Sequence, residues 1–444
     1  MPRTAAAAVL GAQRLAVSAD RAVPGTLPAM ATPTPGFDPR AVIEGRPPGR
    51  PRVGLILGII AAIGCAIVVL GTDAVQSVDA AGHSVAPFLI ALPLAVLPVP
   101  FLVGVVLLLD RLEPEPRANL VLAFAWGAGV AALLAAVINT AGLVFVTQPA
   151  LGQNTGEYVS ATFGAPVVEE SLKGLILIIL LWRRRQELDG PTDGIIYAAM
   201  VGLGFAMIEN IGYYIGALVR PEVGGVKLLG ATFVLRGVLS PLAHPIFTSM
   251  TGLGVAYAAT HRHARWAVPL GLLAAMVLHG TWNGLTAFGL HGLAVAYAIL
   301  ACVLGVLAGV IVADRRRIVR LIWRFLPVYE AIGVVTEADL KMLSTLRERR
   351  AARLWARRTG GRAAARAMED YQLAATELAL VHLRAQRQII APDQFEQRRR
   401  DLLRLMAMAR SAFFQRQPEP PQPPWARSAA SGFGRHRHGP AHAP

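Results

Sequence analysis

The sequence predicts an all-α polytopic membrane protein of about eight transmembrane helices, with a small helical cytoplasmic C-terminal domain. Three observations lead there. The 444 residues are 54% hydrophobic and only 16% charged, with a mean hydropathy of +0.48, too apolar for a soluble globule of this length. Apolar runs long enough to cross a bilayer recur at about 53–71, 87–109, 119–146, 160–182, 194–219, 229–259, 266–289 and 292–313. The loop charges alternate with them. From a cytoplasmic N-terminus, Arg111, Arg117, Arg183, Arg184, Arg185, Arg262 and Arg265 fall inside and only Arg220 and Lys227 outside, so both termini of a multi-pass cell-membrane protein are expected in the cytoplasm.

Residues 1–50 are rich in Ala, Pro, Thr and Arg without sustained periodicity. They lack the basic, apolar, small order of a signal peptide, and a disordered cytoplasmic extension is expected. The transmembrane core runs over 53–313, its second run broken by Pro93, Pro98 and Pro100, as in a bent or re-entrant element. Over 314–330 basic and apolar residues alternate at helical spacing, which predicts an interfacial basic helix. A helical cytoplasmic domain over 331–413 opens at Thr336–Asp339, breaks at Gly360-Gly361 and restarts at a capping box, Asp393–Glu396. The remainder, 414–444, is Pro-, Arg-, His- and Ser-rich and expected to be disordered, with His436, His438 and His442 too irregular for a metal site.

From Asp314 to the end there are 25 Lys and Arg against 12 Asp and Glu, which is +13 of the total +15. Such a tail suits anionic lipid. No nucleic-acid motif accompanies the charge, so no nucleic-acid partner is expected. Cys65 and Cys302 both lie in apolar runs and offer neither a disulfide framework nor a CxxC metal site.

Polar residues inside the apolar runs carry the functional signal. Glu169, Glu170 and Lys173 stand in the fourth run, where an ionised group costs on the order of 2.5–3.5 kcal/mol and must face protein or water. At about 100° per residue Lys173 projects between the two carboxylates, so that it can neutralise one, most simply Glu170, and leave the other as a base. A structural ion pair joining helices is the plainer alternative. Glu209 and Asn210 in the fifth run, His244 in the sixth, and His279 and Asn283 in the seventh add further groups. Counted to the nearest cytoplasmic charge, Glu169, Glu209, His244 and His279 lie about 21–27 Å deep, in one layer. Gly212/Gly216 and Gly280/Gly284 form small-xxx-small faces for close helix approach. His279 and Asn283, at i and i+4, share a helix face, and both can donate toward one point. A water-activating carboxylate opposite such donors is the minimum for amide hydrolysis.

The set EExxK (Glu169, Glu170, Lys173), FxxxEN (Phe205, Glu209, Asn210), an isolated His244 and HxxWN (His279, Trp282, Asn283) resembles the PrsW family of intramembrane proteases. That family belongs with CAAX-prenyl-endopeptidase-like and bacteriocin-processing membrane proteins. The resemblance covers about 165–283. It implies that Glu169 activates water, that Glu170 supports it against Lys173, and that His279 and Asn283 stabilise the oxyanion. Glu209 stands where the wider group has a histidine, and Lys173 lies one residue earlier than that group's arginine; both departures suit PrsW better than a prenyl-protein protease. The implied substrate is a membrane-anchored protein such as an anti-sigma factor. The implied cofactor is a divalent, zinc-like metal held by Glu169, Glu209, His244 and His279, although no HExxH occurs and the glutamates could act without an ion. A proton-coupled transporter or channel is the rival reading of buried Glu and His, but no second copy of these motifs marks an inverted repeat.

The loop arginines make the topology testable. Reporter tags at residues 150 and 224 should read outside and tags at 188 and 263 inside; an outside signal at 188 inverts the whole arrangement.

Overall fold

In the computed structural model, residues 38–45, 53–80, 84–111, 113–219 and 225–414 are described; the expected N-terminal extension, apart from 38–45, and the tail from 415 onward lie outside them. The described residues form helices and short connections, with no strand among them. Eight helices follow the order of the apolar runs: α1 (Val53–Ala80), α2 (Ala86–Leu109), α3 (Arg117–Leu151), α4 (Ala165–Arg183), α5 (Pro191–Leu218), α6 (Ala243–Thr260), α7 (Ala267–Thr286) and α8 (Gly289–Phe325). Seven of the described helices are long and apolar enough to cross a membrane. The element missing from that count is α4, whose 19 residues contain Glu169, Glu170 and Lys173.

Proline explains two irregularities. The α2 helix is interrupted between Val96 and Val99, with Pro93 inside its first half and Pro98 capping its second. The sixth run is broken at Ser240–Leu242, so that Val226–Thr232 and a π segment, Phe233–Leu239, precede α6. Further π segments interrupt α3 at Gly127–Ala131 and Leu143–Thr147, and Ser160–Gly164 leads into α4.

The bundle is organised around α5, which is 89% buried over its most apolar stretch, against 11–44% for the other six candidate spans. A helix apolar on all sides belongs at the centre. Its neighbours approach backbone to backbone: a Cβ on Gly194 would lie 2.2 Å from the Gly252 carbonyl oxygen, and one on Gly202 would lie 2.5 Å from the Pro245 nitrogen. This contact sets α6 beside α5 with His244 facing Glu209. The expected small-residue faces divide. Gly280 and Gly284 pack on Thr162, whereas a Cβ on Gly212 or Gly216 would meet nothing within 4 Å.

The basic stretch after Val312 is not a separate interfacial element. It continues α8 without a break to Phe325, and Pro327–Tyr329 forms a 3₁₀ turn. At 37 residues α8 is about 55 Å long, well beyond a hydrocarbon layer of about 30 Å, so its basic end projects past it. There Arg317 binds Asp314 (2.9 Å) and the Asp189 carbonyl (2.8 Å), and Asp314 accepts from Thr192 Oγ1 (2.6 Å).

Three helices complete the described residues: α9 (Glu337–Leu343), α10 (Leu346–Gln386) and α11 (Pro392–Phe414). Thr336 caps α9, accepting from the Asp339 amide, and Gly361, at φ +71°, breaks α10 where the paired glycines predict an interruption. These helices are tied to the loop before α5 by buried charges. Arg384 pairs with Asp189 and with Glu377 (3.1 Å), and Glu377 also binds Arg398 (2.5 Å).

His382 is packed between Phe325 and Phe395 and bonded to Tyr329 Oη at 2.7 Å. Burial, with the positive charge of Arg399, holds its imidazole down from an ordinary 6.5 to about 4. The folded state therefore favours neutral His382; its contribution is complete above pH 6.5 and lost as the pH falls toward 4. The full chain in detergent should melt lower at pH 5 than at pH 7.5, and His382→Gln should flatten that dependence. The α5–α6 contact gives a second test: Gly202→Val should lower the melting temperature by several degrees and Gly212→Ala should not, since only the first meets backbone.

Candidate active site

Pro166 lies in the first turn of α4, where its missing N–H costs nothing, and one turn further in Glu169, Glu170 and Lys173 point into the bundle. Lys173 is fully buried. Its Nζ lies 3.1 Å from Glu169 Oε2, 2.9 Å from Glu170 Oε1 and 3.0 Å from His244 Nδ1, with the Phe205 ring centroid at 3.8 Å. The lysine thus bonds both carboxylates and not Glu170 alone.

The two glutamates have different surroundings. Glu170 faces Lys173, Thr248 Oγ1 at 2.9 Å and His279 Nδ1 at 3.1 Å. An ionised Glu170 takes all three as donors, which assigns the His279 proton to Nδ1 and leaves Nε2 a lone pair, 4.0 Å from Glu169 Oε2. Glu169 accepts from Asn139 Nδ2 (3.3 Å) and lines a cavity of about 570 Å³ between α1, α3, α5 and the segment before α6. Glu170 is absent from that wall.

Glu209 meets His244 Nε2 at 2.9 Å and pairs with Arg236; Asn210 Oδ1 accepts from Arg236 Nε at 2.7 Å. Arg236 also lies over Tyr213, 3.7 Å from the ring centroid. The imidazoles are wedged by rings: His244 and His279 stand perpendicular at 5.1 Å, and Phe247 stacks on His279 at 4.8 Å. All four groups expected at one depth do meet. Asn283 does not join them, because its amide donates to the Ala161 carbonyl at 2.8 Å and holds the π segment before α4. His279 and Asn283 therefore do not aim at one point.

The expected four-residue metal set closes as three. One ligand atom each from Glu169, His244 and His279 lies within 4.8 Å of the others, while Glu209 stands behind His244. Two imidazoles and a carboxylate suit a divalent ion of the zinc type. Each imidazole has a carboxylate on its other nitrogen, Glu209 for His244 and Glu170 for His279, which is how ligating histidines are oriented. Lys173 competes for His244 Nδ1 and would have to give up that contact. On this test the residues fit.

Arg236, Asn139 and Thr248 were not singled out from the sequence. Arg236 is a cation and Asn139 an amide inside apolar runs, and that was the available signal. Thr248 gave none, being ordinary in a helix.

Residues 115–311 match the family described as PrsW family intramembrane metalloprotease. The chain is similar to Protease PrsW of Oceanobacillus iheyensis, 30% identical over 127 residues that make up 28% of this chain and 54% of that protein. It is 29% identical to Protease PrsW of Geobacillus kaustophilus over 180 residues, 40% of this chain and 70% of that protein. Against Protease PrsW of Bacillus subtilis the identity is 34% over 131 residues, 29% of this chain and 54% of that protein. The chain thus spans about half the length of the first and third of these relatives. No solved structure matches it. The matched segment holds every member of the buried cluster, and it is the segment in which the four motifs occur in order. Over residues 115–311 this chain is therefore similar to the PrsW family of intramembrane metalloproteases.

Proposed function

We propose that the chain is an intramembrane endopeptidase that hydrolyses a peptide bond in a membrane-anchored protein, with Glu169 activating the water. The inequality of the two adjacent glutamates carries this reading: Glu169 opens on the cavity, whereas Glu170 is fully buried and faces three donor groups. Only the first can reach a substrate's water. Glu169 takes a proton as the water oxygen bonds to the scissile carbonyl carbon, and the proton goes on to the leaving amine. Asn139, which shares the cavity wall beside Glu169, offers an N–H to the developing oxyanion, a role the family resemblance implied for His279 and Asn283. Lys173 and Glu170 hold Glu169 and His279 in place.

Glu169, His244 and His279 would hold a zinc-like ion, which when bound lowers the pKa of water and polarises the carbonyl. The preferred substrate class is a single-span regulatory protein such as an anti-sigma factor. Both termini of the enzyme lie in the cytoplasm, and the basic end of α8 meets anionic lipid.

The purified full chain should cleave a co-expressed single-span anti-sigma factor in detergent. Glu169→Gln should insert and accumulate normally yet yield no product; wild-type turnover in that variant overturns the assignment. Elemental analysis decides the ion: about one equivalent of zinc, lost together with activity in His244→Ala, supports it. Full activity in metal-free protein leaves the glutamate acting alone.

A further inference from the structure

The cavity wall contains four ionisable residues, Asp73, Glu169, Glu209 and Tyr213, and three of them are carboxylates. Two of these carboxylates are in contact with a cation: Lys173, shared with Glu170, bonds Glu169, and Arg236 bonds Glu209. Asp73 has none, and among the described residues neither a hydrogen bond nor an ion pair engages its side chain. It does not project into lipid by accident. The buried residues of α1 are Ala62, Val69 and Ser77, and Asp73 lies between the last two at spacings of four, on the helix's inward stripe. Apart from Asn139, Thr232 and Phe205, the rest of the wall is small or aliphatic. Gly212 and Gly216 face it with open space where a side chain would stand.

A carboxylate with no partner in the wall of a cavity is costly unless water or a ligand meets it. The cavity that exposes Glu169 thus presents one carboxylate that no cation contacts and room along glycines for a long aliphatic stem. That combination complements a lysine or arginine side chain. Asp73 also lies outside the matched segment 115–311, so the family resemblance says nothing of it.

We propose that Asp73 is a specificity-determining residue that receives a cationic side chain of the polypeptide bound in the cavity. The inference rests on the reading of the cavity as a substrate site. It deepens that reading by naming the substrate's chemistry: an apolar segment bearing a basic residue close to the bond cut at Glu169.

Binding separates this from catalysis. The probes are fluorescent ten-residue Ala/Leu peptides carrying one lysine at successive positions, each paired with its norleucine counterpart of equal stem length, titrated against the full chain in detergent. At one position the lysine peptide should bind at least about fivefold more tightly than its partner, and the ratio should shrink with salt. Asp73→Glu should keep the preference, and Asp73→Asn should bring the ratio to about one. Absence of any lysine preference in the wild-type protein overturns the proposal, whether or not the variants fold. So does a preference that survives in Asp73→Asn, which would transfer it to Glu169 or Glu209. Turnover of the same peptides is read in parallel. Lysine preference with no turnover supports Asp73 and counts against the protease reading, and turnover with no lysine preference does the reverse.

Discussion

The ammonium group of Lys173 is the interaction on which the bundle depends. It sits with no solvent exposure among two carboxylates, an imidazole and the face of Phe205, and those groups come from α4, α5 and α6. Its three nitrogen-bound hydrogens match the three polar partners. Taking such charges out of water costs several kcal/mol per ion, and only near-complete pairing repays it. The pairing here extends outward from Lys173. Glu170 adds Thr248 and His279, His244 adds Glu209, and Glu209 adds Arg236. Removing any one member leaves a charge or dipole buried without a partner, so the network fixes the register of four helices at once.

That network needs backbones closer than ordinary side chains permit. Gly194 against Gly252 and Gly202 against Pro245 bring α5 and α6 into direct contact, and Gly280 and Gly284 let α7 lie on the segment before α4. Where the glycines stop making contact, at Gly212 and Gly216, the helices part and the cavity begins. Close packing and open space are therefore two consequences of one residue type placed on different faces of α5 and its neighbours.

Much of this was legible in the sequence. An ionisable residue in an apolar run has few tolerable positions, so Glu169, Glu209, His244 and His279 at one depth already implied one cluster. What spacing could not supply was direction. Asn283 shares a face with His279, yet a nearer acceptor, the Ala161 carbonyl, takes its amide; that carbonyl is offered by a π segment that no periodicity announces. Glu209 was placed among the metal ligands because it lies at the right depth, but Arg236 and His244 hold it one step behind. The basic end of α8 read as a separate helix from its charge pattern. It continues the last span because Asp314, Thr192 and the Asp189 carbonyl supply partners for it.

Adjacent residues on a helix diverge by about 100°, and here that rotation separates a buried carboxylate from a cavity-facing one. Glu170 turns toward α6 and α7, where three donor groups meet it and no water reaches it. Glu169 turns toward α3 and the cavity, where Asn139 and Lys173 hold it but leave it in reach of solvent. One lysine serves both. A single carboxylate here would have to choose between neutralising Lys173 within the core and facing the cavity. Two in succession divide those tasks, and the buried one orients the His279 imidazole toward its neighbour. The EExxK pattern is thus a physical unit: a cavity-facing carboxylate, its buried counterpart and the cation that makes burying both of them tolerable.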